Sequence, residues 1–426
     1  MSKITEVNAR EILDSRGNPT LEVEIALEDG TRAVAGVPSG ASTGKFEAIE
    51  LRDGDPDRFS GKGVLGAVAN VNGELKEMVL GMDSSDQASI DQKMIAQDGT
   101  GNKARLGANA ILGISLAVAR AESRSTQKPL YEYIRDLMGL SESLSRFPMP
   151  MFNVINGGKH SDSGLSAQEF KLVPFGIEGY PEQLRAGSEI FHSLQGILEK
   201  GRLSVGVGDE GGFAPKLESH ARALELLHEA ISTAGYAPGK DVFIGFDVAA
   251  NSFYNEAEDQ YYLEPENVQL SRESIINVYR DWIAKYAVVS IEDGLHEEDW
   301  AGWAQMKEKL EKESAAWGRN IMLIGDDLLV TNTARVRKAL EEHACNAVLI
   351  KPNQIGTLSE TLDCIRLARE NGLDTVISHR SGETVDDFIA DLAVGSDSQF
   401  IKTGSLSRGE RLAKYNRLWD IWNKTR

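Results

Sequence analysis

Six times between Val242 and Gly404 an apolar run stops at an ionisable residue. The runs read VFIGFD, VVSIED, IMLIGDD, AVLIK, TVISH and QFIK, and they stop at Asp247, Glu292, Asp326, Lys351, His379 and Lys402. Between them lie segments with helical spacing; in 273–283, Ile275, Ile276, Tyr279, Trp282 and Ile283 share one face. Short β-branched runs alternating with helices predict βα units and a parallel sheet. This many units in a row favour a closed α/β barrel, with an open doubly wound sheet as the alternative. In such barrels the C-terminal strand ends carry the chemistry. Each acid alone reads more readily as the cap of the next helix. As a set they read as a site, because a lysine at the end of a buried run needs negative partners, and clustered carboxylates need cations.

The first 140 residues carry a different pattern. Leu21, Val23, Ile25 and Leu27 alternate with Glu22, Glu24, Ala26 and Glu28, which predicts a strand with one wet face. Asp29-Gly30 is a hairpin turn, and TRAVAGV is the returning strand. PSGASTGKFEA, 38–48, is too rich in Gly and Ser to pack and predicts a loop that acts as a lid. Helices are predicted over 64–79 and 105–121; Gly107, Gly113 and several alanines in the second imply close packing against a neighbour. A boundary near 138–146 in the Ser-rich SESLSR segment divides an α+β domain, 1–140, from the barrel, 141–426. MFNVIN, QEFKLVPF and SVGVGDEGGF are expected to open the barrel as its first strands and their exits.

Composition narrows the function. Lys and Arg number 46 against 65 Asp and Glu, a net charge of −19, which disfavours nucleic acid and anionic membrane as partners. An anionic substrate therefore needs a local cationic site. The two cysteines make neither a disulfide framework nor a zinc ligand set. The N-terminus lacks the apolar core of a signal peptide and no apolar run is long enough to span a bilayer, so a cytoplasmic protein is expected. Two G-x-G-x-x-G matches, at Gly61 and Gly206, fail as nucleotide sites. The first follows no strand, and the second puts Asp209 and Glu210 where a pyrophosphate would sit. Gly40–Lys45 is one residue short of a Walker A spacing.

Nine motifs together resemble the enolase family from end to end. They are DSRGNPT (14–20), PSGASTG (38–44), LGANAILG (106–113), GDEGGFAP (208–215), SIEDG (290–294), NQIGTLSE (353–360), SHRSGET (378–384), IKTG (401–404) and ERLAKYN (410–416). The resemblance implies an N-terminal α+β domain followed by an eight-stranded α/β barrel of the enolase type, opened by a ββαα element. It implies the reversible dehydration of 2-phospho-D-glycerate to phosphoenolpyruvate with two Mg²⁺ per active site, the second arriving with substrate. By the same resemblance Asp247, Glu292 and Asp326 hold the first metal, and Ser42 in the lid holds the second. Lys351 falls on the catalytic base and Glu210 on the general acid. Glu169 and His160 line the leaving-group side, Gln168 contacts substrate, and Lys402 is a second active-site lysine. Arg380 and Ser381 match the phosphate site, with His379 beside them. Homodimers, octamers in some members, and an additional cell-surface or secreted pool in some relatives also come with the family.

The residue types suit that chemistry. Carboxylate oxygens favour a hard cation such as Mg²⁺. A base must be neutral, so Lys351 is expected to be lowered from about 10.4 by Lys402 and the metal ions. Expelling hydroxide needs an acid, and Glu210 is placed to be it. Pro352 after the base and Phe400 before Lys402 depart from the common family pattern. They leave open a relative acting on a phosphonate analogue. A relative kept only for binding should have lost one of Glu210, Lys351 or the three metal acids, and all five are present.

Overall fold

The computed structural model describes residues 2–40, 44–141 and 143–425. The chain opens with an antiparallel sheet of β1 (Ile4–Leu13), β2 (Pro19–Leu27) and β3 (Arg32–Gly36), in that order. The predicted hairpin is present, with Ile25 opposite Ala33 and Gly30 at φ +86° in the turn. Leu21, Val23, Ile25 and Leu27 are buried, while Glu22 and Glu24 pair with Arg10 and Arg32 on the wetter face. β1 has no clear alternation because it is an edge strand; only Ile4 and Val7 are fully buried.

The helix Ala108–Ser125 lies against β2 and β3 and starts three residues later than its spacing predicted. Gly113 is the contact point: a Cβ there would sit 2.5 Å from Val23 Cγ2. The predicted 64–79 helix runs as Leu65–Asn70, a widened turn Val71–Leu75, and Lys76–Val79. Two further helices, Gln87–Asp98 and Leu130–Met138, stand outside the sequence-based set. The first buries Gln87 and Asp91 alongside Ile90 and Met94, so polar residues interrupt its apolar stripe.

The barrel strands are β4 (Met149–Asn156), β5 (Glu169–Val173), β6 (Phe243–Asp247), β7 (Val288–Glu292), β8 (Met322–Gly325), β9 (Ala347–Ile350), β10 (Asp374–Ser378) and β11 (Phe400–Lys402). They close in the order β7-β8-β9-β10-β11-β4-β5-β6. All six runs that end in an ionisable residue are strands. The sheet is not wholly parallel: β5 is antiparallel to both β4 and β6. No helix of crossover length separates β4 from β5, so β5 must return antiparallel. Two helices, Tyr180–Lys200 and His220–Thr233, then follow before β6. This is the ββαα opening expected from the resemblance.

SVGVGDEGGF is not a strand. It forms turns with isolated bridges from Phe213 to Val207 and Ile155, and four glycines keep it from extending. The acids at the strand ends are not helix caps either. Side-chain caps come instead from Ser271, Asp299, Asn332 and Thr357.

Inside the barrel, Met151, Val173, Val289, Met322, Ile324, Ala347, Leu349, Val376 and Phe400 pack as an apolar floor. The mouth above it is ionic. Ion pairs tie the N-terminal helices to the barrel, the buried Arg135–Asp397 and the partly buried Arg120–Asp386, both at 2.6 Å. No helix among the described residues is long and apolar enough to cross a membrane.

Gly113→Val is expected to lower stability by about 1–3 kcal/mol through overpacking against Val23. The checking measurement is the shift of the urea midpoint at unchanged slope.

Candidate active site

Register builds the first half of the site. Glu169 on β5 pairs with Asp247 on β6, and Asp247 pairs with Glu292 on β7. Three carboxylates thus stand side by side at the same level of the barrel, all buried. Lys402 reaches across from β11; its Nζ lies 3.2 Å from Glu169, 3.4 Å from Asp247 and 2.6 Å from Glu292. Lys171, two residues along β5 and on the same face as Glu169, donates to Glu292 Oε2 at 2.5 Å. Both ammonium groups are sealed from water, which is tolerable only because the carboxylates hold them.

The charges settle unequally. Burial pulls Glu292 upward, but Lys171 and Lys402 outweigh it and keep that carboxyl below its usual range. Burial pushes Asp247 well up, with Glu292 beside it adding to the rise. Glu169 is pushed up by burial to about 7. Burial works against the charge on Lys402, yet Glu169, Glu292 and Asp247 hold it well above the ordinary lysine value.

Asp326 stands one strand further on, beyond the end of β8, in a second acidic group with Asp293 and Asp327. Asp293 accepts the backbone N–H groups of Asp326 and Asp327 at 2.9 and 2.7 Å. Gln354 donates to Asp326 Oδ1 at 2.8 Å, and Lys351 Nζ donates to Oδ2 at 2.5 Å. Among the protein's own groups, burial is the largest influence on the Lys351 pKa and lowers it, Arg380 and Lys402 lower it further, and Asp326 together with Glu47 raises it to a net upward shift.

The three acids assigned to the first metal therefore divide between two groups, Asp247 and Glu292 with Glu169, and Asp326 with Asp293 and Asp327. In each group the ligand atoms lie within 4.8 Å of one another. Every donor in both groups is a carboxylate oxygen, and Glu169 Oε2 makes no hydrogen bond among the described residues. Such donors fit a hard divalent cation. Ser42 lies outside the described residues.

A third group gathers His160, Glu169 and Glu210. His160 Nδ1 is 3.5 Å from Glu210 Oε1, and Asn153 Nδ2 donates to Glu210 Oε2 at 2.8 Å. Burial lowers His160 to about 4, so the imidazole is neutral at pH 7. Gln168 is buried beside Glu169, its backbone N–H on the Asp247 carbonyl at 2.9 Å.

Arg380 donates to Glu47 at 2.8 and 3.2 Å and to Asn353 Oδ1 at 3.0 Å. Glu47 belongs to the 38–48 loop, whose Ser39 also pairs with Gly382. One narrow cavity is lined by His160, Gln168, Glu169, Glu210, Asp247, Asp326, Lys351, His379, Arg380, Ser381 and Lys402, with Ala249, Asp293 and Asp327. Of the residues singled out in the sequence and described here, only Glu292 is not on its wall; its carboxylate lies against Lys402.

The sequence-based set omits Lys171, Asp293, Glu47 and Arg411. Lys171 had a signal in the two-residue spacing of Glu169 and Lys171 along a strand. Arg411 had only its place in ERLAKYN. Its guanidinium is wholly buried and donates to His379 Nδ1 at 2.7 Å, to the Arg380 and Ser381 carbonyls at 2.6 Å each, and to the Asp209 carbonyl at 3.1 Å. A guanidinium only donates, so Nδ1 must accept and the His379 proton sits on Nε2, 3.5 Å from Glu210 Oε2. Burial and then the Arg411 charge hold His379 well below the usual histidine value.

Both departures from the family pattern leave the cavity intact. Pro352 occupies the first turn of the helix Pro352–Ile355, where no N–H is required, and Lys351 before it is extended. Phe400 lies in the apolar floor.

Arg411→Met is expected to raise the His379 pKa and to let the ring exchange its proton between the two nitrogens. Histidine ¹⁵N shifts across a pH titration check this; an unchanged Nε2–H form in the variant would refute it.

A family model described as the enolase C-terminal TIM barrel domain matches residues 145–425. A second, described as the enolase N-terminal domain, matches residues 4–134. With nearly the whole chain matched and a closed barrel carrying its ionisable residues at one rim, the chain belongs to the enolase family and is a lyase of the phosphopyruvate hydratase class.

Proposed function

We propose that the protein catalyses the reversible, Mg²⁺-dependent dehydration of 2-phospho-D-glycerate to phosphoenolpyruvate. The observation that carries this reading is the placement of Lys351 and Glu169. β9, which leads into Lys351, and β5, which bears Glu169, are diametrically opposed among the eight barrel strands. A substrate between them meets a base on one side and, on the other, the group of Glu169, His160 and Glu210. An elimination that takes a proton from one carbon and hydroxide from the next needs that separation.

Each residue then has a task. Lys351 takes the proton alpha to the carboxylate, and acts as a base only after losing a proton from the ammonium that donates to Asp326. Glu210, held by Asn153, protonates the departing hydroxyl, and neutral His160 and the raised carboxyl of Glu169 stand beside it. Arg380 and Ser381 receive the phosphate; Arg380 exchanges Glu47 for it, which links phosphate binding to the 38–48 lid. Gln168 and His379 contact substrate, and Lys402 fixes the carboxylate row. Two magnesium ions, the first held by Asp247, Glu292 and Asp326 and the second, arriving with substrate, held by Ser42, would supply the positive charge that stabilises the doubly negative carboxylate formed on proton loss.

The test follows ultraviolet absorbance of the enol product from 2-phosphoglycerate, with Mg²⁺ and with EDTA, for the natural protein and Lys351→Ala. Product should appear only with Mg²⁺, and the variant should be slower by about 10²–10⁴-fold. No product from the natural protein with Mg²⁺ would overturn the substrate assignment. An undiminished rate in Lys351→Ala would overturn the assignment of the base.

A further inference from the structure

The barrel has a second cavity at the opposite end from the site described above. It is about 600 Å³, within the range of small-molecule pockets. Phe243, Val289, Met322 and Phe400 contribute from the first or second residues of β6, β7, β8 and β11. Asp247, Glu292 and Lys402 end three of those same strands. On β6 and β7, each five residues long, the two ends lie about 13 Å apart, and no residue lines both cavities.

Three phenyl rings make the apolar wall. Phe175 stands edge-on to Phe400 and Phe243, with ring centroids 5.6 and 5.9 Å away, and is itself 39% exposed. An aromatic ring left open inside a concave apolar surface marks a binding surface more often than a scattered surface residue does.

The rim is cationic. Lys240 and Arg319 both line the cavity. Arg319 donates to the carbonyls of Val288, Trp317 and Ile283, using three of its five N–H groups. Among the described residues it has no carboxylate partner. Asp374 is the one acid on the lining among the described residues, half-buried and influenced by Arg146. Two cations against one acid is an unusual balance on a chain with net charge −19. A neutral apolar ligand would leave the spare N–H groups of Arg319 unmatched, and a dianion would meet Asp374.

We propose that this cleft is a second ligand site, for a small monocarboxylate with an aromatic or branched apolar body. The body lies on Phe175, Phe243 and Phe400, and the carboxylate is drawn to Arg319 and Lys240. The proposal stands independently of the dehydration reading.

The test titrates the full-length protein with 3-phenylpropionate by calorimetry, beside its neutral amide. Phe175→Ala and Lys240→Glu are the variants, since both side chains are exposed and neither belongs to the catalytic machinery. One saturable site with a Kd on the order of 1 mM is expected. Binding should weaken about tenfold or more for the amide and for each variant, a loss of about 1.4 kcal/mol. Saturating 2-phosphoglycerate with Mg²⁺ should leave the site occupied. The proposal is overturned by absence of saturable binding, by equal binding of the amide, by variants that bind as the natural protein does, or by displacement with 2-phosphoglycerate.

Discussion

Two lysines buried inside a barrel with three carboxylates fix most of what this molecule is. Lys402 and Lys171 cannot be sealed from water without Glu169, Asp247 and Glu292, and those acids cannot stand at one level without the lysines. The network spans four strands, β11, β5, β6 and β7. Strand register is therefore constrained, because a one-residue slip of β5 would turn Glu169 and Lys171 out of the barrel together. The antiparallel course of β5 belongs to the same arrangement. It brings Glu169, the first residue of its strand, to the rim where the parallel strands end.

Around that network the loops are held by groups that touch no carboxylate of the row. Arg411 gathers the 379–381 turn and the Asp209 carbonyl, and Glu383 accepts from Lys414 and from the Arg380 backbone N–H. The 38–48 loop meets the same turn through Ser39–Gly382 and Glu47–Arg380. The phosphate side of the proposed site is thus a junction of N-terminal loop, barrel loop and C-terminal helix. Any displacement of Arg380 is felt in all three.

The sequence made legible what depends on local pattern. Apolar runs ending in charge marked six barrel strands and the rim residues at or just beyond their ends, and alternation marked the β2–β3 hairpin. It did not reveal β1, whose edge position leaves little to bury, or the helix Gln87–Asp98, whose buried face includes Gln87 and Asp91. SVGVGDEGGF reads as a strand by its valines and fails as one by its glycines. The partners that set charge are long-range and were beyond the pattern. Asp326 raises Lys351, where positive neighbours alone would lower it, and nothing local in AVLIK discloses that contact.

The central claim is that the lysine–carboxylate network, rather than the apolar floor alone, holds the barrel mouth in one arrangement. A double-mutant cycle on Lys171→Met, Glu292→Gln and the pair, read by urea unfolding in EDTA, tests it most directly. Each single change should cost about 3–5 kcal/mol, and the pair should cost less than the sum by about 2 kcal/mol or more. Costs that add to within about 0.5 kcal/mol would mean the two side chains are not coupled, and would contradict the account.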